Sequence, residues 1–111
     1  LCEQWGEALG LSVVVRQTNH EGQLLDWLND AADSATPVVL NAAAWTHYSY
    51  ALWDACAPLE APPGEVHISA PSKRPEEFRH TSVVSPHAAT VIEGRGLEGY
   101  RLALEYITGT R

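Results

Sequence analysis

PPGEVHISAPSKRPEEFRHTS, residues 62–82, gathers three glutamates, two histidines, two arginines and four hydroxyl side chains around one short strand-like core. In Glu65-Val66-His67-Ile68-Ser69 polar residues alternate with β-branched ones. A strand sends successive side chains to opposite faces, so Glu65, His67 and Ser69 share one face while Val66 and Ile68 take the other. A carboxylate two residues from an imidazole on the same face can fix its tautomer and raise its basicity. The strand then gives way to a loop with Pro71 and Pro75, and in open α/β sheets ligands bind at such strand ends. The same pattern also fits an amphipathic edge strand whose Glu65 and His67 merely face water.

Upstream, Pro37 to Leu40 reads as a buried-type strand ending at Asn41-Ala42-Ala43-Ala44-Trp45. Thr46 is placed to N-cap a helix from His47 to about Ala57, and Pro58 to Gly64 breaks it. Earlier still, Leu1 to Leu9 spaces Leu1, Trp5, Ala8 and Leu9 along one helical face and stops at Gly10, a glycine C-cap. Ser12 to Arg16, with Val13-Val14-Val15, is a β-branched run suited to a strand covered on both faces. Gln17 to Gly22 is a polar loop, and Gln23 to Ala32 carries Leu24, Leu25, Trp27 and Leu28 at helical spacing. Downstream, Arg74 to Phe78 can form a short helical turn, Thr90 to Ile92 a fourth strand, and Leu97 to Ile107 a last helix with Tyr100, Leu102, Ala103, Leu104 and Ile107 on its apolar side. Alternating strands and helices give a parallel sheet with helices on both faces. Three strand ends, at Thr18-Asn19-His20, Asn41 and His67-Ile68-Ser69, are then expected along one sheet edge.

A chain of 111 residues is expected to form one domain, residues 1–111, and to oligomerise, being shorter than enzymes that carry a whole site alone usually are. Its formal charge is -7, and its seven basic residues form no stripe, which argues against nucleic acid and anionic membrane as partners. Local arginines can still hold a small anionic substrate. Cys2 and Cys56 fall in helical patterns without metal-ligand spacing, which suggests buried thiols in a reducing cytoplasm. No apolar run has membrane length. The chain opens at Leu1 inside a helical pattern and contains no methionine, so residues upstream of Leu1 are expected.

Gly94-Arg95-Gly96-Leu97-Glu98-Gly99 fits the dinucleotide fingerprint, but no second strand follows, so the glycines read as a tight strand-to-helix turn. The five histidines show no helical zinc spacing; His20, Glu21 and His67 could together offer metal ligands, but the expectation is no metal. No G-x-S-x-G elbow is present for a serine hydrolase. Of the arginines beside Phe78, Arg74 is expected to pair with Glu76 or Glu77 at the surface, and Arg79 to face a ligand.

Gln17-Thr18-Asn19-His20-Glu21-Gly22, Leu40-Asn41-Ala42-Ala43-Ala44, Thr46-His47-Tyr48-Ser49, Ala51-Leu52-Trp53-Asp54-Ala55, Glu65-Val66-His67-Ile68-Ser69, Phe78-Arg79-His80-Thr81-Ser82 and Gly94 to Tyr100 occur in the order seen in type II 3-dehydroquinate dehydratase. The resemblance covers essentially the whole chain. It implies a flavodoxin-like three-layer α/β fold, no cofactor, a dodecamer built of trimers, and removal of water from 3-dehydroquinate through an enolate, giving 3-dehydroshikimate in the shikimate pathway or in quinate breakdown. By motif, His67 resembles the general acid and Glu65 its orienting partner. Asn41 resembles the amide that holds a substrate hydroxyl beside His67. The backbone N–H groups of Ile68 and Ser69, with the Ser69 hydroxyl, resemble the cradle for the substrate carboxylate. Arg79 and His47 resemble the ring-hydroxyl contacts, and Asp54 the residue that reaches a neighbouring subunit's site.

The sequence departs from the family pattern at Gly64, Ala70, Trp53 and an extra residue between Arg74 and Phe78. The family's first strand and its lid loop, with an arginine and a base tyrosine, have no counterpart from Leu1 onward. Tyr48, Tyr50, Tyr100 and Tyr106 read as packing residues on helices. Residues 1–111 alone are therefore expected to be inactive, the missing strand lying between those around Val14 and Val39. The alternative is a non-catalytic oligomeric ligand-binding relative, which direct pairing of Val13–Val15 with Val38–Leu40 would favour.

Overall fold

The computed structural model describes residues 1–109. Its elements are α1 (Cys2–Ala8), α2 (Glu21–Ser34), β1 (Val39–Leu40), a 3-10 turn (Ala43–His47), α3 (Tyr50–Cys56), β2 (Gly64–His67), 3-10 turns at Pro71–Lys73, Glu77–His80 and Ser85–His87, β3 (Thr90–Glu93) and α4 (Glu98–Thr108). The strands form a parallel sheet in the order β1-β2-β3, with Leu40 level with Glu65 and His67 level with Glu93. β2 is thus central and buried at all four positions, which replaces the edge-strand reading.

Alternation along β2 assigns its two faces. On one, Val66 lies under α4, where a Cβ on Gly99 would come within 3.1 Å of the Val66 side chain and 3.4 Å of Ile92, so glycine sets the closeness of helix and sheet. On the other, level with Glu65, Leu40 joins a core of Leu28, Leu52, Ala55, Cys56, Leu59 and Val84. Helices therefore cover both faces. Leu52 is fully buried at the centre of that core. Leu52→Ala should cost about 2–5 kcal/mol, the usual range for a leucine cavity. A urea-unfolding loss below about 1 kcal/mol would show that the α2–α3 layer collapses around the gap.

Four expectations need correction. Ser12–Arg16 is not a strand, so among the described residues three strands replace the expected four. Its backbone makes no hydrogen bond among the described residues, and Val14 and Val15 are exposed. A β-branched run becomes a strand only when another segment lies alongside to complete the ladder. Nor does Val13–Val15 pair with Val38–Leu40, the arrangement that would have favoured a non-catalytic relative.

Thr46 does not cap the third helix. Ser49 does, its hydroxyl accepting the Leu52 N–H at 3.0 Å and donating to Glu21. Thr46 is instead fixed in the 3-10 turn, its carbonyl accepting the Val83 N–H at 2.7 Å. Glu21 and Gly22, read as loop, open α2, the acid standing in its first turn where the helix dipole favours it. The helical turn placed at Arg74–Phe78 is displaced to Pro71–Lys73 and Glu77–His80. Gly10 does end α1: it is left-handed at φ +79, the Leu11 N–H returns to the Gly6 carbonyl at 2.7 Å, and its own N–H to Glu7 at 3.1 Å.

Candidate active site

Glu65 and His67 project from the same face of β2 and are almost completely buried, at 2% and 8% exposure. The Nε2 of His67 lies 2.6 Å from Oε2 of Glu65. The same carboxylate oxygen accepts the Ser82 hydroxyl at 2.8 Å, and Oε1 accepts the Ser85 hydroxyl at 2.6 Å. Burial by itself would push the Glu65 carboxyl up. The hydrogen bonds from His67, Ser85 and Ser82, with the attraction of a charged His67, outweigh it and hold the group below the ordinary glutamate range. Glu65 is accordingly a carboxylate that accepts three hydrogen bonds, two at Oε2 and one at Oε1. The neighbouring Cys56 goes the other way, burial first and then the Glu65 charge pushing its thiol up to about 11. It is a neutral packing group, while Cys2 is only half-buried.

Beside this pair stands His47. Its Nδ1 donates to the Thr81 carbonyl at 2.7 Å, and its ring lies 6.4 Å from that of His67, nearly parallel at 16°. Phe78 meets His47 edge-on at 5.7 Å. Asn41 follows β1 at the neighbouring strand end. Its Nδ2 donates to the Tyr100 hydroxyl at 3.0 Å and its Oδ1 accepts the Ala43 N–H at 3.2 Å, which holds Ala43 in the left-handed region at φ +51. That conformation costs an alanine about 1–2 kcal/mol.

The glycine-rich motif forms the strand-to-helix turn expected of it. Gly94 and Gly96 are left-handed, and their N–H groups bond the carbonyls of Ser69 at 2.9 Å and Ile68 at 3.0 Å. The Ser69 N–H shares a planar trans peptide with the Ile68 carbonyl, so it points away from that turn. Ile68 and Ser69 are both exposed.

Not all the expected residues converge. Glu65, His67 and His47 are brought together, whereas the Asn41 amide is turned to Tyr100 on α4. The surface ion pair expected of Arg74 forms at Arg79 instead. Nε of Arg79 lies 3.4 Å from Glu76, within ion-pair range but not aligned for a hydrogen bond, and its guanidinium rests 4.9 Å over Phe78. Arg74 instead reaches the Ser69 hydroxyl at 3.5 Å. His80 ties the two together through the Arg74 carbonyl at 2.7 Å.

Asp54 is exposed on α3, in a shallow apolar depression with Tyr50, Trp53, Val83 and Pro86. Tyr48 and Tyr50 are exposed rather than packed, and Tyr100 is a partner of Asn41. His20 stands at the N-cap position of α2 without a side-chain capping bond, and Glu21 accepts the Ser49 hydroxyl. Among the described residues no three His, Cys, Asp or Glu side chains could hold a metal ion. The residues that sequence reasoning missed are Ser85 and Tyr100, together with the role of Ser82.

Comparison with known proteins converges on one family. Residues 1–108 match the model described as dehydroquinase class II. A Salinispora tropica protein named 3-dehydroquinate dehydratase is 59% identical over 107 residues, covering 96% of this chain and 74% of the relative. A Mycobacterium tuberculosis protein of the same name is 56% identical over 107 residues, with 96% and 72% covered. The crystal structure of type II dehydroquinase from Propionibacterium acnes superimposes with a TM-score of 0.93 at 51% identity, over 97% of this chain and 74% of that one.

Proposed function

The chain belongs to the class II dehydroquinase family and has its flavodoxin-like α/β fold, and from that premise we propose that it is a 3-dehydroquinate dehydratase, a hydro-lyase releasing water and 3-dehydroshikimate. The observation that carries the reading is the buried Glu65–His67 pair at the carboxyl end of the central strand. In the proposed reaction a base removes the proton next to the ketone, giving an enolate. Expulsion of the tertiary hydroxyl then needs an acid, because hydroxide is a poor leaving group. His67 is that acid, and an anionic Glu65 stabilises the imidazolium it must carry and fixes the ring by its Nε2.

The remaining assignments follow the same frame. The N–H groups of Ile68 and Ser69 with the Ser69 hydroxyl receive the substrate carboxylate, Arg79 and His47 the ring hydroxyls, and Asn41 a hydroxyl beside His67. Asp54, outward on α3, suits contact with another subunit, in keeping with a dodecamer of trimers and a cytoplasmic enzyme of the shikimate pathway. No helix among the described residues is long and apolar enough to cross a membrane.

The test is to supply the protein as its gene encodes it, including any residues before Leu1, with 3-dehydroquinate and to follow the conjugated enone of the product by its ultraviolet absorbance. Appearance of 3-dehydroshikimate supports the assignment, and substrate binding without turnover would make the chain a binding relative. Within that assay, Arg79→Ala should raise KM by about 10- to 100-fold, as a charge-assisted contact is worth roughly 1.5–3 kcal/mol. Unchanged kinetics would confine Arg79 to its contacts with Glu76 and Phe78.

A further inference from the structure

Twenty residues beyond Glu65, the loop after Thr81 returns two hydroxyls to its carboxylate, and their geometry is more constrained than two surface serines would need. The Ser82 oxygen accepts N–H groups from both Val84 at 3.1 Å and Ser85 at 3.0 Å. Its lone pairs are thereby occupied, and its one hydrogen is left for Glu65 Oε2. Ser85 has its backbone N–H in that turn and sends its own hydroxyl to Oε1. Each carboxylate oxygen thus receives a fixed donor, and only Oε2 is shared with His67.

We propose that Ser85, with Ser82, is a positioning residue for the dehydration: the two hydroxyls clamp Glu65 as an anion in the plane that presents Oε2 to His67. The inference rests on the reading of His67 as the acid. A serine hydroxyl donates to a carboxylate but gains less from a neutral carboxyl, so the clamp favours the charged form. The groups facing the pair from other elements leave that charge uncontested. Cys56 on α3 is a neutral thiol, His47 donates its Nδ1 hydrogen to Thr81, and Glu93, level with His67 on β3, is held by the N–H and hydroxyl of Ser72 at 3.2 and 2.8 Å.

Ser85→Ala is the cleaner probe, since the Ser85 hydroxyl has Glu65 as its partner while Ser82 also organises the turn. It should lower kcat by roughly 10- to 100-fold with KM nearly unchanged, the range for losing one hydrogen bond to a charged group. The acidic limb of the kcat profile, where Glu65 takes up a proton, should move to higher pH. Ser85→Thr, which keeps the hydroxyl, should restore both. In a Glu65→Gln background Ser85→Ala should add little, because the clamp has no anion left to hold. An additive loss there, or an unmoved acidic limb, would make Ser85 merely structural and overturn the proposal. Should Ser85→Ala fail to fold, Ser85→Cys, of similar shape with a weak donor, carries the same comparison. Infrared titration of the resting protein separates this from failure of the proposed reaction. The carboxylic-acid band abolished by Glu65→Gln should appear at higher pH in Ser85→Ala whether or not 3-dehydroquinate is turned over, and an unshifted band refutes the clamp.

Discussion

Replacing His67 with alanine should lower kcat for 3-dehydroquinate dehydration by about 10²–10⁴-fold, the contribution of a well-placed general acid, while KM stays within about tenfold. The separation of the two effects follows from when the acid acts. Its proton is required as the carbon–oxygen bond breaks, so its loss falls on the transition state and spares most ground-state binding. The alanine also removes a ring that is 8% exposed and leaves Glu65 with its two serine donors, so the carboxylate remains satisfied. Near-normal kcat in the folded variant would remove His67 from the chemistry.

Glu65→Gln tests the partner. The amide has nearly the same volume but carries no charge, and its NH2 group is a donor facing a cluster of donors. We expect kcat to fall by roughly 10²-fold or more, through loss of a buried charge-assisted hydrogen bond and of the charge that supports the imidazolium. The same substitution should change acid stability. The folded-state pKa of Glu65 is depressed, so its contribution is present above the ordinary glutamate range, about pH 4.3, and is lost as pH falls through the depressed value. Stability of the parent should therefore drop across that acidic window, and the variant, weaker at neutral pH, should show a flatter dependence in urea unfolding measured at successive pH values. Parallel curves would mean that Glu65 titrates alike in folded and unfolded chains.

The part of the site written in adjacent residues was legible, and the part made by distant ones was not. Two-residue alternation in Glu65-Val66-His67 announces that carboxylate and imidazole share a face, and burial completes their meeting. That Ser82 and Ser85 close on the carboxylate depends on how residues 81–87 return to β2, a tertiary fact with no local pattern. The misassigned cap at Thr46 has a similar cause. Thr46 and Ser49 are both competent hydroxyls, and the choice is made by Val83, whose N–H binds the Thr46 carbonyl. For the arginines the deciding detail is the helix type. In a 3-10 turn residues three apart eclipse one another, which stacks Arg79 over Glu76 and leaves Arg74 directed at Ser69. The valines at 13–15 carry strand composition, yet composition cannot supply the neighbour that a strand requires. Tyr100 was read for its ring, which the helix pattern shows, and its hydroxyl contact to Asn41 spans 59 residues.

The central claim is that His67 protonates the departing hydroxyl after an enolate has formed, and deuterium exchange tests it most directly. His67→Ala in the full chain is incubated with 3-dehydroquinate in heavy water, and substrate and product are followed by proton NMR. If His67 serves only the second step, the variant should still exchange the hydrogen beside the ketone, incorporating deuterium into 3-dehydroquinate while 3-dehydroshikimate accumulates about 10²–10⁴-fold more slowly than with the parent. Loss of exchange and dehydration in equal measure would place His67 in enolate formation instead and contradict its assignment as the acid.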